Sequence, residues 1–403
     1  MNDYKKNLIH NETCFLRGTL ENRMELYGLR NIVRMELFLW DLEIFLQIQQ
    51  ILKERVVLKG GAAVQFYLPI QDQRTSVDID LIFNGTKDEI LETLKTIEDK
   101  LGADERFFKF REHVPNKPKT ELSLYTFFVP IPSVCYENEL RVNSGKQEIK
   151  IEFISYPCKI EISKKSGRNI FAVDSDMEYN VLSINNLFSD KLTTLGPNSI
   201  GIQNERMDEQ IKQLFDIHAL MKYNITDLDF NTITEKYLER ARIESETRKI
   251  AFDENYIIND ALTQLRRFAK IDDGQDKELR KYIDDFQSSY IGRGGRRGHA
   301  EWAVVAEQIK YLMELIFVYK VGKEKLKKAF EIQEILSFKH LSGSEKGIHI
   351  KTFKDIFIKE YAGYSSINTK ILKGKSLERI LWSVLTPGNI EQIEYFVNDY
   401  VRL

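Results

Sequence analysis

The sequence predicts an α/β chain of the mixed, α+β kind, in which a mixed sheet flanked by helices is followed by a mainly helical C-terminal domain. Three observations predict it. Runs of β-branched and aromatic residues fall between Val56 and Tyr156, apolar residues at three- and four-residue steps surround them, and after Asn180 the strand signal gives way to long helical patterns. At 403 residues the chain exceeds the size that one core normally serves. Two domains are therefore expected, residues 1–223 with an N-terminal helix and residues 224–403.

The elements follow in order. From about Glu21 to Leu52, Leu26, Leu29, Val33, Leu37, Trp40, Ile44 and Phe45 recur at helical spacing, which predicts one packed helix. Val56 to Leu58 reads as a short strand, Ala62 to Tyr67 as a helix and Val77 to Phe83 as a second strand. Asp88 to Leu101 is amphipathic, with Ile90, Leu91, Leu94 and Ile97 on one side. Phe107 to His113, Leu122 to Pro130 and Glu148 to Tyr156 alternate like strands, and breakers at Pro115-Asn116-Lys117-Pro118 and Asn143-Ser144-Gly145-Lys146 separate them. They should form the antiparallel side of the sheet. The helical half is interrupted at Ser289 to His299, a Gly- and Arg-rich stretch expected to be a mobile basic loop before a helix from about Glu301 to Tyr319.

Composition narrows the function classes. Charged residues make up 30% of the chain but the net charge is only −2, so a surface for a polyanion must be a local patch. Cys14, Cys135 and Cys158 are widely spaced and odd in number, which suggests neither a disulfide framework nor a zinc site. There is no apolar run of membrane-spanning length and no apolar stretch near Met1 resembling a signal peptide, so a soluble cytoplasmic protein without membrane association is expected.

The chemistry is concentrated in Leu58-Lys59-Gly60-Gly61-Ala62-Ala63-Val64 and Arg74-Thr75-Ser76-Val77-Asp78-Ile79-Asp80-Leu81. Adjacent glycines let backbone amides approach a polyphosphate closely. Alternate residues of a strand share a face, so Asp78 and Asp80 would converge on one spot while Val77, Ile79 and Leu81 face the core. Paired hard-oxygen donors suit Mg²⁺, with phosphates and water completing its shell. Glu152, in Ile149-Lys150-Ile151-Glu152-Phe153, alternates with core residues and is either a third carboxylate for that spot or a solvent-facing strand position. Lys59 and Arg74 are either extra positive charge for phosphates or ordinary surface. His218, His299 and His349 lack metal-ligand spacing, and no serine-hydrolase elbow, Cys-x-x-Cys or Walker lysine loop competes.

In these stretches the sequence resembles the AbiEii/AbiGii nucleotidyltransferases, toxins of bacterial phage-defence (abortive infection) and toxin–antitoxin systems within the polymerase-β-like superfamily. The resemblance covers about Leu58 to Leu220. It implies a polymerase-β-like nucleotidyltransferase fold, with nucleoside triphosphate as substrate and Mg²⁺, or alternatively Mn²⁺, as cofactor. It implies metal ligation by Asp78, Asp80 and Glu152, with Glu152 deprotonating the incoming hydroxyl, and triphosphate binding by Gly60, Gly61 and Ser76. Asn186-Leu187-Phe188-Ser189-Asp190-Lys191-Leu192 resembles the motif whose lysine reaches the nucleotide, which assigns that role to Lys191. Lys212-Gln213-Leu214-Phe215-Asp216 resembles a further motif. Gln213 stands where an acid is frequent, so only Asp216 is carried over, either to position Lys191 or accept a substrate hydrogen bond, or else as a helix residue paired with Lys212. Arg206 is a weaker candidate for phosphate contact.

The resemblance also implies a separately encoded antitoxin and an RNA acceptor, foremost the tRNA 3′ end, whose modification would block translation. In the sequence itself, Arg293, Arg296 and Arg297 are the candidate RNA contacts, with Tyr290 and Trp302 placed to stack on bases. Three further readings stay open: a surface loop that happens to be basic, nucleotidylation of a protein or small molecule, and a non-catalytic module that senses nucleotide or RNA.

Overall fold

Helix formation near the N-terminus is broken where the sequence pattern alone would continue it. In the computed structural model, which describes residues 4–113, 124–136, 146–155, 160–173, 175–365 and 367–402, the expected helix over Glu21 to Leu52 is two: α1 (Arg17–Tyr27) and α2 (Ile32–Leu52). Gly28 ends α1 in the left-handed region at φ 64°, and the Asn31 side chain accepts from the Arg34 amide to start α2. Apolar residues at i and i+4 continue in phase across the turn, which is why periodicity reads through it.

Next come β1 (Val56–Lys59), α3 (Gly60–Gln65), β2 (Asp78–Phe83) and α4 (Lys87–Leu101), each within two residues of expectation. Thr86 and Glu89 form a capping box that fixes the start of α4. The strands β3 (Arg111–Glu112), β4 (Leu124–Pro132) and β5 (Lys146–Ile154) supply the expected antiparallel side. The breakers at residues 115–118 and 143–145, the strand limits at Leu122 and Tyr156, and Cys158 lie outside the described residues. Two strands were not foreseen, β6 (Ile162–Ser166) and β7 (Glu178–Leu182), and α5 (Ile184–Leu192) follows them.

The seven strands form one mixed sheet in the order β3-β4-β5-β2-β1-β7-β6. At its centre β2 runs antiparallel to β1 and parallel to β5, with β1 parallel to β7. The mixed sheet with flanking helices and a helical C-terminal region is thus the architecture the sequence predicts.

The chain forms two compact units. The first comprises residues 1–191, 243–251 and 283–296. Its core is built on α2, which packs against β1, β2, β5, β7 and α4 and buries Phe38, Leu39, Leu42, Ile44, Phe45 and Ile48 completely. A helix buried on nearly every side must satisfy its polar residues internally. Glu36 accepts from Ser133 Oγ and the Val134 amide, both at 2.6 Å. Glu43 accepts from the Ile9 and His10 amides at 2.9 and 3.0 Å and meets His10 Nδ1 at 2.6 Å. Burial opposes the charge on Glu43, yet the His10 ring and these amides hold its carboxyl below its ordinary range.

The second unit comprises residues 192–242, 252–282 and 297–403 and is helical. Its central helix, His299–Met313, continues as a π-helical turn over Glu314–Val318 and packs against Glu254–Phe268 and Leu377–Val384. Trp302, Tyr311 and Trp382 are buried there, and Arg379 is paired with Glu307 and Asp272 at 3.4 and 3.3 Å. Among the described residues no helix is long and apolar enough to cross a membrane.

The Glu43 network ties the N-terminal segment to α2. Replacing His10→Ala removes the ring from a fully buried carboxylate and should destabilise the protein by roughly 3 to 5 kcal/mol, read as a lowered denaturant midpoint at pH 7 with an unchanged slope.

Candidate functional site

Strand register assembles the site. Along β2, Asp78 and Asp80 share one face, while Ile79 and Leu81 are wholly buried on the other. Lys59 at the end of β1 lies opposite Asp80, and on the other side Asp80 pairs with Glu152 and Asp78 with Lys150 of β5. Thr126 of β4 completes the row opposite Glu152 and donates to it at 3.4 Å. One face of four neighbouring strands therefore carries Lys59, Asp80, Glu152 and Thr126 in line. Ile149, Ile151 and Phe153 are buried behind it.

The turn from β1 into α3 closes on this row. Gly60 sits at φ +69°, where side chains are strained, and a Cβ there would run into the Asp80 carboxylate, 2.9 Å from Cγ. A Cβ on Gly61 would meet Arg74 Nη2 at 2.6 Å and Ser76 Oγ at 3.0 Å. Sequence-distant Gly60, Gly61, Arg74, Ser76 and Asp80 are thus packed together. Arg74 is a buried residue, 3% exposed, whose amide donates to Gln65 Oε1 at 2.8 Å and whose guanidinium donates to the Thr75 carbonyl at 2.9 Å. It is not an ordinary surface arginine.

Two lysines oppose the carboxylates. Lys59 Nζ pairs with Asp190 Oδ2 at 3.1 Å, and Lys191, 4% exposed, lies near enough to Asp80 to lower its pKa. Burial is the larger influence and, with Glu152 and Asp78 adding like charge, raises the Asp80 carboxyl to about 6 against Lys59 and Lys191. Glu152 is held by Lys150 Nζ at 3.0 Å.

Asp41 on α2 was not singled out from the sequence. It is 1% exposed, and among the described residues neither carboxylate oxygen has a hydrogen-bond partner. Burial first, then the charges of Asp78 and Asp80, push its carboxyl well above the usual range. The signal available was an acid inside the apolar run Leu37-Phe38-Leu39-Trp40-Asp41-Leu42. Lys150 and Asp190 were likewise missed, although each is within two residues of a predicted site residue.

For a divalent cation, the donor chemistry at Asp78 and Asp80 fits: hard oxygens, two apart on one strand face, in a neighbourhood where carboxyls raise one another's pKa. Among the described residues no three His, Cys, Asp or Glu side chains form a preassembled metal-holding group, and Glu152 is paired with Lys150.

The remaining predicted residues are placed as follows. Asp216 is fully buried on α6 (Met207–Asn224) of the second unit, where Lys212 pairs with Glu209 at 2.6 Å. Arg206 is exposed in that unit, and His218 Nε2 meets Gln308 Oε1 at 2.8 Å. Arg293 and Arg296 belong to the first unit and Arg297 to the second, where its guanidinium lies over Phe215 and Trp302 at 5.5 and 5.7 Å. Base stacking by Tyr290 and Trp302 is not available, because the residues are only 8% and 1% exposed. The expected mobile loop is instead tied down: residues 293–295 form a 3₁₀ turn, and the Arg293 amide donates to the Gly28 carbonyl at 3.0 Å.

Comparison with known proteins agrees with the family reading. A profile described as nucleotidyl transferase AbiEii toxin, type IV toxin–antitoxin system, matches residues 44–293, more than half of the chain. Similar solved structures include JHP933 from Helicobacter pylori, 15% identical with a TM-score of 0.41 over 74% of this chain and 97% of that one. Another is the nucleotidyltransferase toxin MenT4 from Mycobacterium tuberculosis H37Rv, 12% identical with a TM-score of 0.39 over 75% of this chain and 99% of that one. No curated protein matches the sequence.

The raised pKa of Asp80 makes a stability prediction. A carboxyl at 3.8 in the unfolded chain and about 6 when folded disfavours folding wherever it is ionised. The penalty is absent below pH 4, grows between pH 4 and 6 and is constant above. Without added metal, Asp80→Asn should therefore be more stable than wild type by about 1 to 3 kcal/mol at pH 7.5, and thermal melts of the two should converge below pH 4.

Proposed function

The chain belongs to the AbiEii nucleotidyl transferase toxin family of type IV toxin–antitoxin systems, and from that premise we propose that it transfers a nucleoside monophosphate from a nucleoside triphosphate to the 3′ end of tRNA, blocking translation until a cognate antitoxin intervenes. The observation that carries the transfer chemistry is the row of Lys59, Asp80 and Glu152 across adjacent strands, with the Cβ-free turn at Gly60 packed on Asp80. The tRNA acceptor rests on the family resemblance, supported by the arginines of residues 293–297.

In this reading the acceptor hydroxyl attacks the α-phosphorus in line, a new oxygen–phosphorus bond forms, and the bond to pyrophosphate breaks. Asp78 and Asp80 would hold Mg²⁺, or Mn²⁺ in its place, and the bound cation would neutralise phosphate charge. Backbone amides at Gly60 and Gly61, with the Ser76 hydroxyl, bind the terminal phosphates. Glu152 takes the proton from the hydroxyl after exchanging its Lys150 contact for the acceptor. Lys191 meets the charge that accumulates on departing pyrophosphate, a compact ammonium already enclosed and so strong in its effect. Lys59, fixed by Asp190, keeps the Asp80 end of the row from excess negative charge.

Purified protein incubated with tRNA, Mg²⁺ and each α-labelled nucleoside triphosphate should label tRNA with one nucleotide preferentially. Asp78→Ala/Asp80→Ala should lower the rate by at least about 10³-fold, and Lys191→Ala by about 10² to 10³-fold. Label in protein alone would replace the acceptor, and nucleotide binding with no pyrophosphate release from wild type would replace catalysis by sensing.

A further inference from the structure

A second charged assembly lies in the first unit, opposite in sign to the carboxylate row. The segment 290–296 is stitched to two others. The Thr75 amide donates to the Tyr290 carbonyl and the Arg293 amide to the Gly28 carbonyl, both at 3.0 Å, and Arg74 forms a β-bridge with Ile291. Gly28 makes the close approach possible, since a Cβ there would lie 2.9 Å from Arg293 Cβ. These ties bring Arg293 and Arg296 to the α1–α2 turn that carries Arg30, and to Arg34 in the first turn of α2. The Arg34 guanidinium lies 3.8 Å from the centroid of the Tyr290 ring.

Arg30 and Arg293 are exposed, and Arg34 and Arg296 are half-buried. Among the described residues none of their side chains makes a hydrogen bond or an ion pair, and Nε and Nη2 of Arg296 and Nε of Arg34 are buried without a partner. Burial, and then the charges of Arg30 and Arg293, lower the pKa of Arg296. Arg30 and Arg293 face water, whereas the buried donors of Arg34 and Arg296 cost free energy until an anion meets them. A guanidinium matches a phosphate with two parallel bonds. A nucleic-acid strand presents one anion per nucleotide, at a density that a peptide whose acids are interrupted by neutral residues does not match. The segment Arg74–Ser76 links the cluster to the turn at Gly61, since Ser76 borders Gly61 while Thr75 bonds Tyr290.

We propose that Arg30, Arg34, Arg293 and Arg296 form a composite site for the phosphodiester backbone of a nucleic-acid acceptor, held beside the nucleotide turn by Arg74–Ser76. The site rests on the reading that the acceptor is RNA. It extends the arginine-rich segment by two residues from a different part of the chain.

The test is fluorescence anisotropy of a fluorescein-labelled RNA oligonucleotide against the full-length chain over a series of NaCl concentrations. Each lost phosphate contact should lower the slope of log K against log salt by about 0.7 for a single strand. Arg30→Gln/Arg296→Gln should thus lower it by about 1.4 and weaken low-salt binding at least about tenfold. Arg30→Lys/Arg296→Lys should recover most of the slope, and thermal melting checks that both variants fold. An unchanged slope in the glutamine variant, or no RNA binding by wild type, overturns the site. Loss of triphosphate binding with the RNA slope intact overturns it in favour of a nucleotide subsite. Tighter binding of polyglutamate than of RNA, abolished by the same substitutions, overturns it in favour of an acidic protein partner. Because anisotropy reads binding without turnover, a wild type that binds with the expected slope but labels no RNA removes the transfer reading and leaves the site standing. Labelled RNA with an unchanged slope does the reverse.

Discussion

Placing Asp80 opposite Glu152 on adjacent parallel strands sets two carboxyls side by side, and much of the first unit is arranged around that cost. Lys59 stands on the other side of Asp80, Lys150 holds Glu152, and Lys191 approaches from α5. Even so Asp80 remains at about 6, so the lysines only partly offset burial and repulsion. The register is fixed from behind. Ile79, Leu81, Ile151 and Phe153 fill the opposite face, and a one-residue slip of either strand would send its carboxylates into that core and its core residues out. The apolar face therefore does more than stabilise the sheet; it dictates which charges meet.

Helix α2 shows the same tension in its polar residues. Glu36, Glu43 and Gln47 are buried and each finds partners on other segments, including Ser133, Val134, His10 and Asn7. These bonds hold the N-terminal segment and residues 133–134, just beyond β4, to the central helix. Asp41 differs from these acids: among the described residues its carboxyl has no hydrogen bond, and it lies under the influence of Asp78 and Asp80. An unsatisfied acid near a carboxylate row is a local cost that the apolar packing of α2 must offset.

The parts of this arrangement legible in the sequence are those governed by local rules. Alternation exposes Asp78, Asp80 and Glu152 opposite buried isoleucines, and paired glycines mark the turn. Strand β7 was hidden because Glu178-Tyr179-Asn180-Val181-Leu182 is buried along most of its length and so shows no alternation. Strand β6, Ile162-Ser163-Lys164-Lys165-Ser166, is a polar edge strand with little apolar content. The break between α1 and α2 rested on the left-handed Gly28 and the Asn31 cap, neither of which periodicity registers. Lys150 and Asp190 could be seen beside predicted site residues, but their partners, Glu152 excepted, come from other strands. The stacking role read for Tyr290 and Trp302 failed because exposure is not local: Arg34 covers Tyr290 from more than two hundred residues away, and Trp302 faces the core of a helical unit.

The arginine segment illustrates the same limit from the opposite side. Glycines between arginines suggest mobility when read alone, yet the bonds to Gly28 and Thr75 come from distant parts of the chain and fix the backbone. A fixed backbone changes the electrostatics, since it keeps Arg296 near enough to Arg30 and Arg293 to feel their charges, which a mobile segment would relieve. The first unit thus carries two charged assemblies, the carboxylates with their lysines and the arginine cluster, joined by Arg74-Thr75-Ser76. The external counter-charges that suit them differ: cations at the carboxylates, phosphates at the guanidiniums. A polyanion drawn to the arginines would be repelled by the acidic row unless cations covered it, so the two sites are expected to fill together in the presence of divalent cation, and the cation would then favour acceptor binding as well as nucleotide binding.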